Sequence, residues 1–177
     1  MLRPHIVLRA PVPADVAAVA ARMRLADTLE CAATGRYDLR GVLATGIARS
    51  VACWTAEVDG EPALIAGVAP LDTLLGGIGV PWMLGTELVT QHQRAFMRLS
   101  PEYIARMLGA FSHLLNFVHA ENVAAVRWLR HMGFRLDEAA PYGPHREPFH
   151  RFELHAHELG PHHLLARKGR GLVSRDA

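Results

Sequence analysis

The spacing of apolar and polar positions divides the chain into short extended runs and amphipathic stretches. The best-defined unit lies at 114–134, LLNFVHAENVAAVRWLRHMGF. Residues 114–118 are an apolar run of the length of a buried strand. Asn122 then stands as a helix N-cap, because its side-chain oxygen can accept a first-turn N–H. Val123, Val126 and Leu129 repeat at helical spacing, with Ala125 and Trp128 beside them. Gly133 ends the helix where a positive φ costs little, and Phe134 opens the next extended segment.

The same reading orders the rest of the chain. Residues 6–9 form a strand closed by Ala10-Pro11-Val12-Pro13. Pro13-Ala14-Asp15 opens a helix, with proline in the first turn and Asp15 at the positive end of the dipole. Val16, Val19, Ala20 and Met23 carry its stripe towards Leu29, and Thr34-Gly35 breaks the chain. Asp38 caps a second helix over 39–49. Residues 51–57 and 62–68 form a hairpin about the tight-turn dipeptide Asp59-Gly60. After a glycine-rich connection at 71–79, residues 81–89 form a strand with Gly85 as a bulge. Residues 91–99 are polar and basic. Ser100-Pro101-Glu102 then starts a helix over 103–113, with Ile104, Met107, Leu108 and Phe111 on one face. Beyond Phe134, residues 135–138 and 149–155 pair as a closing hairpin around the loop 141–148. One domain, 1–155, is expected, followed by a basic, histidine-rich tail at 156–177. The element order describes a mixed α/β domain around one sheet.

Composition narrows the field. Half of the 177 residues are hydrophobic, which excludes a disordered chain, and the net charge of +2 is too small to imply nucleic acid. Cys31 and Cys53 lie in apolar context without a CxxC spacing and read as buried thiols in a reducing, cytosol-like compartment. The N-terminus lacks the apolar core of a signal peptide, and no run reaches the roughly 18 apolar residues of a membrane span. A soluble protein, not secreted by a signal of its own, is expected.

The element order, ending in Asn122-x-x-Ala125 and Gly133-Phe134, resembles the GCN5-related N-acetyltransferase (GNAT) family. The resemblance implies a mostly antiparallel sheet of about six to seven strands flanked by about four helices. It also implies a cleft where the fourth and fifth strands splay apart. Members bind the pyrophosphate of acetyl-CoA on a glycine-rich loop between the fourth strand and the following helix, because backbone N–H groups must approach phosphate closely. Here that segment, 91–101, has no glycine, and Pro101 removes a donor. Leu129 stands where members carry a tyrosine able to protonate the departing thiolate. A narrower resemblance links 81–89, 94–99, Leu115-Asn116-Phe117-Val118, Asn122, Trp128-Leu129 and Gly133 to GNAT-like internal virion proteins of short-tailed bacteriophages.

Candidate chemistry follows from these positions. Glu87 is the expected general base, acting directly or through water. Asn122, Arg94, Arg98 and Ser100 are the residues left to meet a cofactor, in a degenerate site. His92, Arg94 and Arg98 form a basic group, and His119-Ala120-Glu121 borders the cleft. His155, His157, His162 and His163 read as solvated tail residues and not as metal ligands, since no cysteine accompanies them. Three readings stand. The first is a virion-associated structural or accessory protein of virion and host cytoplasm. It needs no cofactor and works through contacts with other virion proteins or its own copies in assembly or genome delivery. The second is an active acetyl-CoA-dependent N-acetyltransferase. The third is a nucleic-acid-associated protein. No membrane partner is expected in any of them.

Overall fold

The structure, a computed structural model, describes residues 4–73 and 76–158. An eight-stranded, mostly antiparallel sheet carries six helices. Its strands are β1 (Ile6–Arg9), β2 (Ala52–Val58), β3 (Glu61–Pro70), β4 (Ile78–Gly85), β5 (His113–His119), β6 (Arg135–Leu136), β7 (Ala140–Tyr142) and β8 (Glu147–His155). The helices are α1 (Pro13–Ala21), α2 (Leu25–Ala33), α3 (Leu39–Arg49), α4 (Glu87–Gln91), α5 (Gln93–Ala110) and α6 (Val123–His131). The sheet order is β1-β2-β3-β4-β5-β8-β6, with β7 also on β8. Most of the expected tail, beyond a single 3₁₀ turn at Ala156–Glu158, lies outside the described residues.

Local chemistry sets the turns. Asp59 (φ 51°) and Gly60 (φ 87°) both take left-handed backbone, the type I′ geometry that the Asp-Gly pair favours between β2 and β3. Gly133 (φ 91°) closes α6: its N–H donates to Arg130 and that of Phe134 to Leu129, the bond pattern of a Schellman stop. Asp38 caps α3 by accepting the Gly41 N–H at 3.0 Å. Asp15 does more than favour a helix dipole. It is buried, accepts Val12 N–H and Thr55 Oγ1, and receives both guanidinium nitrogens of Arg9, so it ties β1, α1 and β2 together.

Three expectations are corrected. The first helix does not run to Leu29. It ends at Ala21, Met23 bridges to Thr86, and Arg24 is extended (ψ 143°) before α2 begins. No proline or glycine causes the break; the end of β4 does. Gly85 C=O accepts the Arg24 N–H at 2.8 Å, and Gly85 N–H donates to Asp27 Oδ2 at 2.8 Å. Gly85 is therefore a strand terminus clamped to α2 and not a bulge. The basic connection at 91–99 is helical: α5 starts at Gln93 and runs through Pro101, so Ser100 is not a cap. Ser100 Oγ donates to Phe96 C=O and accepts Trp128 Nε1–H at 2.9 Å.

The core forms on both faces of the sheet. Val19, Leu43 and Ile65 pack beneath α1 and α3. On the other face, Ile104, Met107 and Phe111 of α5 and Val126 and Leu129 of α6 meet Val68, Leu114, Val118, Phe152 and Leu154. Cys31 and Cys53 are free thiols, both pushed up to about 11 by burial. No helix among the described residues is long and apolar enough to cross a membrane.

Asp27 is 3% exposed and holds Arg24 and the Gly85 N–H. Asp27→Ala leaves both without their acceptor and is expected to cost about 3–5 kcal/mol, read as a lower midpoint in urea unfolding with an unchanged slope.

Candidate active site

The centre of the sheet opens between β4 and β5. They run parallel but pair only at Ile78 with His113 and Gly79 with Leu114. Beyond that point the backbone groups facing the gap need other partners. The Thr86–Ala63 and Leu71–Ile78 bonds set the alternation in β4: even-numbered residues bond to β3, and residues 81, 83 and 85 turn towards the gap. Pro81 has no N–H, and its C=O accepts Asn116 Nδ2 at 2.8 Å. Gly85 is held by Arg24 and Asp27. On β5, Phe117 N–H donates to Asn116 Oδ1 and His119 N–H to Glu30 Oε2. On β4, Met83 turns its N–H and C=O into the gap without a partner among the described residues.

The gap is the floor of a cleft of about 1680 Å³. Its walls are α2 with the segment to α3 on one side and α5 with α6 on the other. Carboxylates gather on the α2 side. Glu30 reaches the end of β5 and the cap that follows it: it accepts Asn122 Nδ2–H at 3.0 Å and His119 N–H at 3.2 Å. Burial pushes Glu30 up to about 7, against the two N–H donors that favour its anion. Burial also raises Asp27, one turn earlier. Asn122 is thus both cap and cleft residue, since its Oδ1 accepts the Ala125 N–H at 3.3 Å while its amide holds Glu30. At the same end Tyr37 Oη meets His145 Nε2 at 2.8 Å, joining the α2–α3 segment to the β7–β8 loop. On the opposite wall, Tyr103 of α5 packs against Trp54 with ring centroids 5.7 Å apart. Its hydroxyl is the one buried side-chain polar atom without a partner among the described residues, and burial raises it well above the usual phenol range.

The sequence-predicted residues fall differently. Glu87 is not on β4: Thr86 accepts the Leu88 N–H and starts α4, so Glu87 sits exposed in its first turn. Arg94 and Arg98 are exposed on the first turns of α5, and His92 precedes them at its start. Ser100 is buried between α5 and α6. Leu129 packs in the core, so no acid can stand there. Of His119-Ala120-Glu121, the His119 N–H reaches Glu30 while its ring lies edge-on to Phe149 at 4.9 Å. His155 does not lie free in a tail. It stacks on His113 at 4.0 Å and, with Glu153, forms a cluster whose ligand atoms lie within 4.8 Å. Glu153 is already committed to Arg135 and Arg151. Burial would raise it, but the two guanidinium groups outweigh that and hold it at about 2. His162 and His163 lie outside the described residues. Glu30, Tyr103 and the Met83 edge escaped the sequence. Asp27 and Glu30 at i and i+3 look from sequence like the solvated face of a helix, and only burial distinguishes them.

No protein-family model matches the chain, and no curated protein sequence matches it. Solved structures do, and they show its fold. One is the aminoglycoside acetyltransferase AAC(6')-Ib in complex with coenzyme A, with TM-score 0.61 and 16% identity over 87% of this chain and 96% of that one. Another is the ribosomal-protein-S18-alanine N-acetyltransferase from Escherichia coli, with TM-score 0.61 and 14% identity over 85% and 94%. A third is the ribosomal-protein-alanine N-acetyltransferase from Brucella melitensis, with TM-score 0.62 and 16% identity over 84% and 99%. The chain has the GNAT fold, with the strand splay that the resemblance implied.

Coenzyme A fits this cleft in part. The open Met83 edge suits an amide of an extended pantetheine arm, which can add to it as a strand would. A diphosphate finds no glycine cradle. Thr86–His92 is glycine-free and mostly helical, with Leu88, Val89 and His92 N–H already bonded within it.

Glu30 binds its proton more tightly when folded than its ordinary value of 4.5 allows, so stability falls as pH rises from about 4.5 through 7. Glu30→Gln removes that dependence. It is expected to raise stability at pH 8 by roughly 1–3 kcal/mol and to leave it nearly unchanged at pH 4, read by chemical unfolding at the two pH values.

Proposed function

We propose that the protein is an N-acyltransferase that moves an acyl group from a pantetheine thioester, such as acetyl-CoA, to an amine. The observation that carries this reading is Glu30: a carboxylate poised near neutrality beside the Asn122 cap, at the end of a strand splay where β4 leaves its Met83 edge open. A base is most effective when its pKa lies near the working pH.

The residues divide the work. Met83 N–H and C=O hold the thioester arm extended along β4. Glu30 attracts the amine to the α2 wall, and Asn122 fixes its carboxylate. As the amine nitrogen attacks, a C–N bond forms to the acyl carbon and the C–S bond breaks. Glu30 takes the proton that the nitrogen sheds. Tyr103, kept protonated by its apolar surroundings, donates to the departing sulfur and is reprotonated from water admitted as the thiol leaves. Leu129 could not fill that part; Tyr103 offers a phenol from α5 instead of α6. Glu87, exposed on α4, has no part in this arrangement.

A second reading rests on the helical, glycine-free stretch after β4: a degenerate site on a protein that works by contact, as the resemblance to phage internal virion proteins implies. The two separate on one measurement. A ligand at a hundred times its dissociation constant stabilises a fold by about 2.7 kcal/mol. A rise in melting temperature with acetyl-CoA or S-acetyl-pantetheine supports the enzyme; the absence of any shift with either sinks it.

Thiol release from S-acetyl-pantetheine in the presence of primary amines is expected to rise with pH through about 7 and then level off, following deprotonation of Glu30. Glu30→Gln should lower kcat by about 10²–10⁴-fold and abolish that limb. Tyr103→Phe should lower kcat with little change in KM, because its hydroxyl meets the sulfur as charge develops.

A further inference from the structure

The surface around the arm's entrance carries a charge that the acyl transfer does not use. Gln93 and Met97 of α5 and Arg127 and His131 of α6 line the cleft, and the Trp128–Ser100 bond holds the two helices side by side. Next to them Arg94, Arg98 and Arg130 are exposed, as are Arg127 and His131. None of the four arginines forms an ion pair among the described residues. Neither 93–101 nor α6 contains a carboxylate. Elsewhere Arg9, Arg22, Arg24, Arg106, Arg135 and Arg151 meet acids, whereas Arg36, Arg40, Arg49 and Arg146 are exposed and form no ion pair among the described residues. An uncompensated cationic rim at the mouth of a cleft draws in a negative partner.

What kind of partner follows from the rest of the entrance. The cleft can take a pantetheine arm but has no glycine cradle for a diphosphate, since α4 occupies that stretch. The cations are spread over the exposed surface of two helices and do not converge on a buried point. That distribution suits a broad acidic surface better than a small polyphosphate. We infer that the acyl donor is a phosphopantetheine thioester carried on an acidic carrier protein, which docks on α5 and α6 while its arm enters along β4. The inference rests on the acyltransferase reading. It keeps the transfer step as written, with the thiol left on the carrier.

Binding tests it without knowledge of the acceptor. The probes are an acidic acyl carrier protein in its phosphopantetheinylated form, the same protein without the arm, free coenzyme A and free pantetheine. The expected result is that the armed carrier binds at least tenfold tighter than either coenzyme A or the armless carrier, and that its affinity falls steeply with salt. The double variant Arg94→Glu/Arg98→Glu, with its fold checked by circular dichroism, should weaken the armed carrier at least tenfold and leave pantetheine binding unchanged. Arg94→Ala alone should give a smaller loss in the same direction. Coenzyme A binding as tightly as the armed carrier, or indifference of the armed carrier to the charge reversal, overturns the carrier while leaving the acyltransferase standing. Failure of all three arm-bearing probes to bind overturns both.

Discussion

The fold turns on a shortage of strand pairing at its centre. Once β4 and β5 part after two residue pairs, every backbone group on their facing edges must find a partner or stay open. Asn116 bridges the gap from β5 to Pro81, Glu30 takes the His119 N–H, and Arg24 with Asp27 close the end of β4 on Gly85. These contacts do two things. They compensate for the missing ladder, and they draw α2 in to form one wall of the cleft. The helix break at 22–24 and the burial of Glu30 are therefore results of the same splay.

The splay also explains how a carboxylate comes to sit near neutrality. A glutamate on a helix face ordinarily stays solvated and low. Here α2 is held edge-on to β5, so Glu30 gives up water for two N–H donors, one from a strand edge and one from a capping amide. Two neutral donors do not repay the loss of solvent, and its proton affinity rises. Glu153, itself buried, shows the opposite outcome, because two guanidinium groups meet it.

Much of the fold was legible in the chain because its signals are local. Asp59-Gly60, the Asp38 cap and the Asn122-to-Gly133 helix each depend on a few adjacent residues, and each is found in its expected place. The misreadings have tertiary causes. The apolar stripe running on from α1 gives no hint that Gly85 will hold Arg24 in an extended conformation. Ser-Pro-Glu at 100–102 carries every mark of a helix start. Yet Ser100 bonds back to Phe96 and across to Trp128, and the helix passes through proline. The site was less legible than the fold. Glu87 reads in the sequence as a strand carboxylate, but the strand ends two residues before it. Glu30 and Tyr103 stand out only through burial, which no spacing in the sequence reveals.

The bond between Glu30 and Asn122 joins residues 92 positions apart. Contacts of such separation close large loops, and the chain entropy lost must be regained from elements already assembled on either side. The hairpins and capped helices can form early from neighbouring residues, but this pair can meet only after β5 has found its place beside β4. The cleft is thus among the last parts of the molecule to be completed and among the first to open under stress. A destabilised variant would lose its poised carboxylate while most of its secondary structure persisted.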